Sequence, residues 1–153
     1  MRALLFVLAL AACSPQTEAP REPAPEAPAP AAETASNDTA SNLARMAPAD
    51  GLRAAGVDFR AVGQEPGWIL DIYTRGTIKM IWAYGENYAE FGVGAPNTGQ
   101  EGVTRYEVSS DGRSLVVTIR RAPCEDVMSG EAYPSTVEVV VDGTTLNGCG
   151  RSV

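Results

Sequence analysis

The residues that could do chemistry in this chain are three cysteines and a few neighbouring carboxylates, because its 153 residues include no histidine. Without an imidazole, no Ser–His or Cys–His pair can activate a nucleophile. The cysteines also lack a Cys-x-x-Cys spacing and the histidine partners common in zinc sites. We therefore expect no catalytic histidine or cysteine, no metal site and no cofactor, and the cysteines require another explanation.

Cys13 directly follows a short apolar run that is preceded by a single positive charge. The run is too short to span a bilayer, so residues 1–12 are typical of a secretory signal peptide. The tetrapeptide Leu-Ala-Ala-Cys that ends at Cys13 resembles the lipobox of bacterial lipoproteins, which implies cleavage before Cys13 and its acylation, palmitate included. Several acyl chains hold a protein stably on a membrane. Because Ser14 is not the aspartate associated with inner-membrane retention, we expect a lipid anchor on the periplasmic face of the outer membrane. The alternative is an ordinary signal peptide with an incidental cysteine.

Cys124 and Cys149 are the two cysteines that remain after Cys13. An even number of cysteines in an exported protein predicts a disulfide bond. Closing a loop of about 26 residues would stabilise the fold by roughly 3.5 kcal/mol on the chain-entropy estimate. A redox pair or metal site is the alternative, and the wide spacing of the two cysteines disfavours both.

The chain carries 19 acidic and 12 basic residues, a net charge of −7. A surface of this sign repels nucleic acid and anionic lipid headgroups and attracts basic proteins. The charge therefore excludes nucleic acid as a partner.

The region after Cys13 is rich in proline, alanine, glutamate and threonine and almost free of large apolar residues. Such a composition cannot bury enough surface to offset the entropy of ordering. Residues 13–45 are accordingly predicted to be a disordered tether, with one helical turn possible near residues 43–46. The folded domain is predicted to cover residues 57–153.

Within residues 57–153, apolar residues alternate with period two, and turn signals interrupt the alternation every eight to twelve residues. The residues predicted to face the interior are Trp68, Leu70, Ile72, Ile78, Met80, Trp82, Ala89, Phe91, Val93, Thr104, Tyr106, Val108, Leu115, Val117, Ile119, Val137, Val139, Val141 and Leu146. Asp111-Gly112 and Asp142-Gly143 are strong hairpin signals. The pattern predicts an all-β fold, a small antiparallel barrel or tight sandwich of about eight short strands closed by one disulfide. Its bulky interior predicts a packed core rather than a lipocalin-like ligand cavity.

Carboxylates occur next to two unusual segments, as Glu65 before Pro66 and as the pair Glu125-Asp126 beside Cys124. A hydrolase could use Glu65 or Asp126 as an acid or base if the fold brought them together across a cleft. Neighbouring acids in a loop are more often a solvated surface. An enzyme is therefore the less favoured hypothesis.

Three motifs, at residues 65–68, 124–134 and 148–150, resemble those of a family of uncharacterised bacterial envelope lipoproteins. The family pairs an EPxW element, here Glu65-Pro66-Gly67-Trp68, with a CxDxMSGxxYP loop, here residues 124–134, and a terminal GCG at residues 148–150. The resemblance covers most of residues 59–150. It implies a small exported all-β domain with a disulfide from Cys124 to Cys149, and it carries no established activity.

The loop also contains Ser129-Gly130-x-x-Tyr133, which is similar to the SGxxY pattern of bacterial inhibitors of c-type lysozyme. In those β-barrel envelope proteins the Ser and Tyr reach into the lysozyme cleft, and an acidic inhibitor would be steered towards that basic enzyme. The candidate binding loop consists of Asp126, Met128, Ser129, Gly130 and Tyr133. The alternative is that Gly130 adopts a special backbone conformation and Tyr133 packs beside the disulfide.

These observations predict a monomeric, membrane-anchored envelope lipoprotein with a non-catalytic binding or accessory role. Lysozyme inhibition through the residue 128–134 loop is the alternative within this class, and an envelope hydrolase is the alternative outside it.

Overall fold

A computed structural model of the protein describes residues 38–153 and consists mainly of antiparallel strands. The strands are β1 (Val57–Gln64), β2 (Gly67–Tyr73), β3 (Thr77–Trp82), β4 (Asn87–Gly92), β5 (Val103–Ser110), β6 (Arg113–Arg120), β7 (Cys124–Glu125), β8 (Ala132–Tyr133), β9 (Ser135–Val141) and β10 (Thr144–Ser152). Eight of them form one sheet in the order β4-β3-β2-β1-β10-β9-β6-β5, and β7 pairs only with β8. The edge strands β4 and β5 contact each other, so the sheet is nearly closed. The predicted all-β fold is confirmed, and of its two predicted forms, barrel or tight sandwich, the nearly closed sheet has the form of a barrel.

Both predicted hairpin turns are present, between β5 and β6 and between β9 and β10. Asp111 and Gly112 have φ of 52° and 76°, and Asp142 and Gly143 have φ of 49° and 83°. Positive φ at both central residues matches the right-handed twist of the flanking strands, and aspartate and glycine tolerate it best. Local turn chemistry therefore sets the register of these two strand pairs.

The interior of the barrel is a single apolar cluster. Every apolar residue predicted to face inward belongs to this cluster or packs against it. Leu70, Ile78, Met80, Leu115 and Val117 have no exposed surface. Burying a side chain of this size contributes about 1.5–3 kcal/mol, so this cluster is the main source of stability.

The chain before β1 packs on the outside of the barrel, and here the predicted tether boundary needs correction. Residues 38–43 form a short helix, and Met46 and Ala47 are buried. The Asn42 side chain donates to the carbonyl oxygen of Gly85 at 3.0 Å, and the Arg45 guanidinium lies 3.6 Å from the centre of the Tyr88 ring. Residues 38–45, assigned to the tether from composition, are thus ordered by these contacts. The rest of the predicted tether, the signal peptide and Cys13 lie outside the described residues.

A buried ion pair connects this outer layer to the sheet. Arg60 donates to both carboxylate oxygens of Asp71, at 2.6 Å each, and also to the Ala47 carbonyl oxygen at 2.7 Å. Asp71 is fully buried, although it is on the outward side of β2. Because a bidentate pair satisfies both charged groups, it can remain buried beneath residues 46–47.

No helix within residues 38–153 is long and apolar enough to cross a membrane.

Candidate functional site

The segment between β6 and β9 folds back over the outer face of the barrel. We call residues 124–133 the bridge loop. Its ends pair with each other, Cys124 with Tyr133 and Glu125 with Ala132. The predicted disulfide between Cys124 and Cys149 is confirmed, with a Cα–Cα distance of 5.5 Å. Since Leu146 faces inward on β10, Cys149 faces outward, and the disulfide therefore fastens the loop to the outside of the sheet.

Asp126 organises the bridge loop from within. Its carboxylate accepts hydrogen bonds from the backbone N–H groups of Met128 and Ser129, both at 2.9 Å, and from Nε2 of Gln64 at 2.6 Å. Only 5% of the surface of Asp126 is exposed to solvent. The hydrogen bond from Gln64, followed by that from the Ser129 backbone, lowers the pKa of Asp126, because these donors favour the ionised form. Asp126 is therefore an ionised, hydrogen-bonded carboxylate.

The turn of the bridge loop is closed by backbone hydrogen bonds around Gly130. The Gly130 N–H donates to the Asp126 carbonyl oxygen at 2.7 Å, and the Asp126 N–H donates to the Glu131 carbonyl oxygen at 2.9 Å. Gly130 has a φ of 69°, a left-handed conformation in which glycine is favoured. The special conformation expected for Gly130 is thus present, and it explains a glycine at this position without a ligand.

Tyr133 is directed into the protein rather than towards solvent. It is 9% exposed, and its hydroxyl donates to Oε2 of Glu131 at 2.9 Å. Burial raises the pKa of Tyr133. The Tyr133 hydroxyl, with a further contribution from Arg151, lowers the pKa of Glu131. Of the two residues in the SGxxY pattern, Ser129 is exposed and Tyr133 serves as a packing residue beside the disulfide.

Val127 and Met128 are the exposed large apolar side chains of the bridge loop, 87% and 71% exposed. They occupy the two positions after Asp126, whose carboxylate accepts the backbone N–H groups of Met128 and Ser129 on the C-terminal side of Val127. Two adjacent large apolar side chains therefore face solvent on a loop whose backbone is hydrogen-bonded.

The EPxW segment forms the turn between β1 and β2, and its residues have different environments. Trp68 is 3% exposed and lies against two glycines. A Cβ atom at Gly63 would come within 2.1 Å of the indole nitrogen, and one at Gly148 within 2.0 Å of the Val62 carbonyl oxygen. Trp68 and the glycine of the terminal GCG motif are thus parts of one packing arrangement.

Glu65, in contrast, is exposed at the tip of this turn together with the half-buried Pro66. The Tyr84 hydroxyl donates to Oε2 of Glu65 at 2.6 Å, and the Tyr84 backbone N–H donates to the Gly67 carbonyl oxygen at 2.9 Å. Tyr84 has a φ of 57°, an uncommon value for an aromatic residue. Its ring is held over the EPxW turn by these two bonds.

Two adjoining depressions on the outer face lie between the EPxW turn and the bridge loop. The larger, about 470 Å³, lies between the bridge loop and the outward side chains of β6, β9, β10 and β1; the smaller, about 290 Å³, lies beside Leu43 and Tyr84. Both include Val62, Gly63 and Gln64. We call the combined feature the outer groove. It brings Glu65 and Asp126 to the lining of the same depression.

Sequence reasoning missed the residues that connect the motifs, namely Val62, Gln64, Ile69, Ile81 and Tyr84. A signal existed for Ile69 and Ile81. Both alternate out of phase with the inward residues of their strands, which indicates an apolar stripe on the outer face. The sequence pattern around Gln64 and Tyr84 does not indicate their roles, because their hydrogen-bond partners, Asp126 and Glu65 respectively, are far away in the sequence.

Comparisons with protein-family models, curated proteins and solved structures found no match for this chain. Within residues 38–153, no group of three or more cysteine or carboxylate side chains is placed to hold a metal ion.

Proposed function

We propose that this protein is a lipid-anchored lipoprotein of the bacterial envelope that binds a partner protein on the outer face of its barrel, without catalysis. The observation that carries the binding role is the bridge loop. Its backbone is fixed by the disulfide and by Asp126, while Val127 and Met128 are largely exposed. A preorganised loop loses little entropy on binding, and this favours recognition.

The anchor rests on Cys13 and the apolar run before it. The described residues begin at Asp38, so the chain between Cys13 and Asp38 would separate the barrel from an outer-membrane surface. In this proposal the domain acts as a monomer. Replacing Cys13 with Ala should release the protein from the membrane fraction and abolish incorporation of a palmitate analogue. Unchanged attachment and labelling would contradict the anchor.

The binding role is tested by capture from an envelope extract with the purified full chain, using quantitative comparison of variants. The double variant Val127→Ser/Met128→Ser should lose the partner that the wild type retains. Val140→Ser is the matched control, because Val140 also faces outward but lies outside the outer groove. Equal capture by all three proteins, or no partner for the wild type, would contradict a binding role for this loop.

Lysozyme inhibition is a specific form of this role, favoured by the exposure of Ser129 on the fixed loop. Since Tyr133 is buried, inhibition would depend on Ser129 and its exposed neighbours. A lysis assay with c-type lysozyme tests it, and Ser129→Ala should then reduce inhibition more than Tyr133→Phe. For a hydrolase, Asp126 is poorly suited as a proton donor, because three donors hold it ionised.

A further inference from the structure

We propose that the outer groove binds a short, extended, positively charged segment of a partner protein, with apolar side chains of that segment filling the groove. This inference rests on the binding role proposed above and adds the chemistry of the partner.

The first argument is the location of exposed apolar side chains. Four large hydrophobic residues are exposed in the described part of the chain: Leu43, Tyr84, Val127 and Met128. Leu43 and Tyr84 line one end of the outer groove, Val127 lines the other, and Met128 follows Val127. Single exposed hydrophobic residues are ordinary, but three that line one feature, with the fourth adjacent to it in the chain, mark an interaction surface.

The second argument is the floor between those ends. Val62 pairs with Ile69, and Ile69 pairs with Ile81 on the next strand, so the three side chains form one outward row across β1, β2 and β3. Outward positions of an antiparallel sheet that face water are usually polar. Val62 and Ile69 are half-buried, whereas Ile81 is 3% exposed. Val62 and Ile69 therefore provide the apolar surface suited to apolar side chains of a ligand, and Ile81 supports it from beneath.

The third argument is charge. The larger depression is lined by Glu65, Glu125, Asp126 and Glu138 against the single cation Arg120, a local balance of 4 − 1 = 3 negative charges. Glu125 and Glu138 are exposed and form no ion pair within residues 38–153. Such a rim attracts a cationic segment and repels anionic headgroups.

The fourth argument is shape. The groove crosses the strands from β3 through β2, β1, β10 and β9 to β6, which is five interstrand spacings. At about 4.8 Å each, this path is roughly 24 Å long when measured along the curved sheet, which corresponds to about seven residues of a segment that bends with the outer face of the barrel. Since the groove runs across the strands rather than along a sheet edge, recognition would depend on side chains rather than on added strand pairing.

The same charge argues against two other occupants. Residues 14–37 of this chain contain four glutamates and one arginine, and a second copy carries a net charge of −7. Both would bring negative charge to an acidic rim. A basic partner segment is the occupant that satisfies both the apolar floor and the rim.

The test uses the full chain and three fluorescent nonapeptides: alternating Lys and Leu, alternating Glu and Leu, and alternating Lys and Ser. The Lys/Leu peptide should bind at least about tenfold more tightly than either control, a difference of about 1.4 kcal/mol.

The variant Ile69→Ser/Val127→Ser should weaken the binding of the Lys/Leu peptide by a similar factor. Glu125→Gln/Glu138→Gln should weaken it at low salt and less at high salt, because screening removes the charge contribution. Glu107→Gln, an exposed acid on β5 outside the groove, should have no effect.

Equal binding of the three peptides, or Lys/Leu binding that the groove variants leave unchanged, would overturn the inference. Two further results would overturn it by identifying another occupant. Higher affinity for the Glu/Leu peptide after deletion of residues 14–37 would point to that segment, and loss of a wild-type dimer in the groove variants would point to a second copy of the chain. Partner capture that depends on Val127 and Met128, without preference for the Lys/Leu peptide, would refute this chemistry while leaving the proposed binding function intact.

Discussion

Nε2 of Gln64 donates a hydrogen bond of 2.6 Å to Oδ2 of Asp126, joining residues that are 62 positions apart. Gln64 ends β1, immediately before the EPxW turn, and Asp126 is the acid of the bridge loop. The same carboxylate also accepts the Met128 and Ser129 backbone N–H groups. One side chain therefore shapes the loop and attaches it to the barrel, in addition to the covalent attachment at Cys124.

We predict that Asp126→Ala disorders the bridge loop while the barrel stays folded. The substitution removes the acceptor of two backbone donors, so amide exchange at Met128 and Ser129 should be roughly tenfold faster or more. Hydrogen exchange followed by mass spectrometry or NMR measures this. Glu125→Ala is the control, because Glu125 is exposed. Unchanged exchange at Met128 in the Asp126 variant would show that the disulfide alone orders the loop.

We also predict that stability falls on acidification because of Asp126 and Glu131. Hydrogen bonds from Gln64 and from Tyr133, respectively, lower the pKa of each carboxyl below its ordinary value of 3.8 or 4.5. The stabilisation is fully present above those ordinary values, and it is lost as pH falls through the lower pKa values of the folded state. Denaturant unfolding from pH 6 to pH 3 should show this loss, and it should be smaller for Asp126→Asn. Identical pH profiles for the wild type and Asp126→Asn would contradict the assignment for Asp126.

The strands, the hairpin turns and the disulfide could be predicted from sequence because local signals determine each of them. Alternation identified Trp68 and Leu70 as core, Asp-Gly pairs identified two turns, and cysteine parity identified the bridge. The sequence also indicates which face of the sheet the bridge loop covers. Leu146 faces inward, and Cys149 follows it by three residues on the same strand, so Cys149 and the loop bonded to it lie on the outer face. Outward positions of a strand therefore carry structural information as well as inward ones.

Other features could not be predicted because they depend on distant partners. Residues 38–45 have the composition of a tether, and they are ordered only by contacts such as those of Asn42 with Gly85 and Arg45 with Tyr88. Asp126 could have been a surface acid or a catalytic acid until the position of Gln64 was known. The five-residue pattern SGxxY likewise cannot distinguish a loop that exposes Tyr133 for recognition from one in which Tyr133 is buried.

A third prediction concerns the packing of Trp68 on the GCG segment. Gly148→Ala would place a Cβ within 2.0 Å of the Val62 carbonyl oxygen and 2.7 Å of the Trp68 ring, so we expect it to destabilise the protein by about 1–3 kcal/mol. Gly92→Ala is the control, because no atom lies within 4 Å of its Cβ position. Thermal melts of both variants provide the comparison. A Gly148→Ala protein as stable as Gly92→Ala would mean that Trp68 does not pack against this glycine.

The last prediction separates architecture from recognition in the bridge loop. Because Tyr133 is buried, Tyr133→Ala should lower the free energy of unfolding by about 3 kcal/mol or more, as for other truncated buried aromatics. Ser129→Ala should have a much smaller effect, because Ser129 is exposed. Its hydroxyl accepts the Glu131 backbone N–H at 3.2 Å and is only a minor cause of the lowered pKa of Asp126. Chemical denaturation measures both.

Tyr133→Phe isolates the hydroxyl from the ring. It keeps the packing, so stability should change much less than in Tyr133→Ala, but it removes the hydrogen bond that contributes most to the lowered pKa of Glu131. The pKa of Glu131, followed by NMR titration of its side-chain carboxyl carbon, should therefore rise towards 4.5. If instead Tyr133→Ala melts like the wild type and Tyr133→Phe leaves the Glu131 titration unchanged, Tyr133 is free of the barrel and available to a partner, as the SGxxY similarity implies.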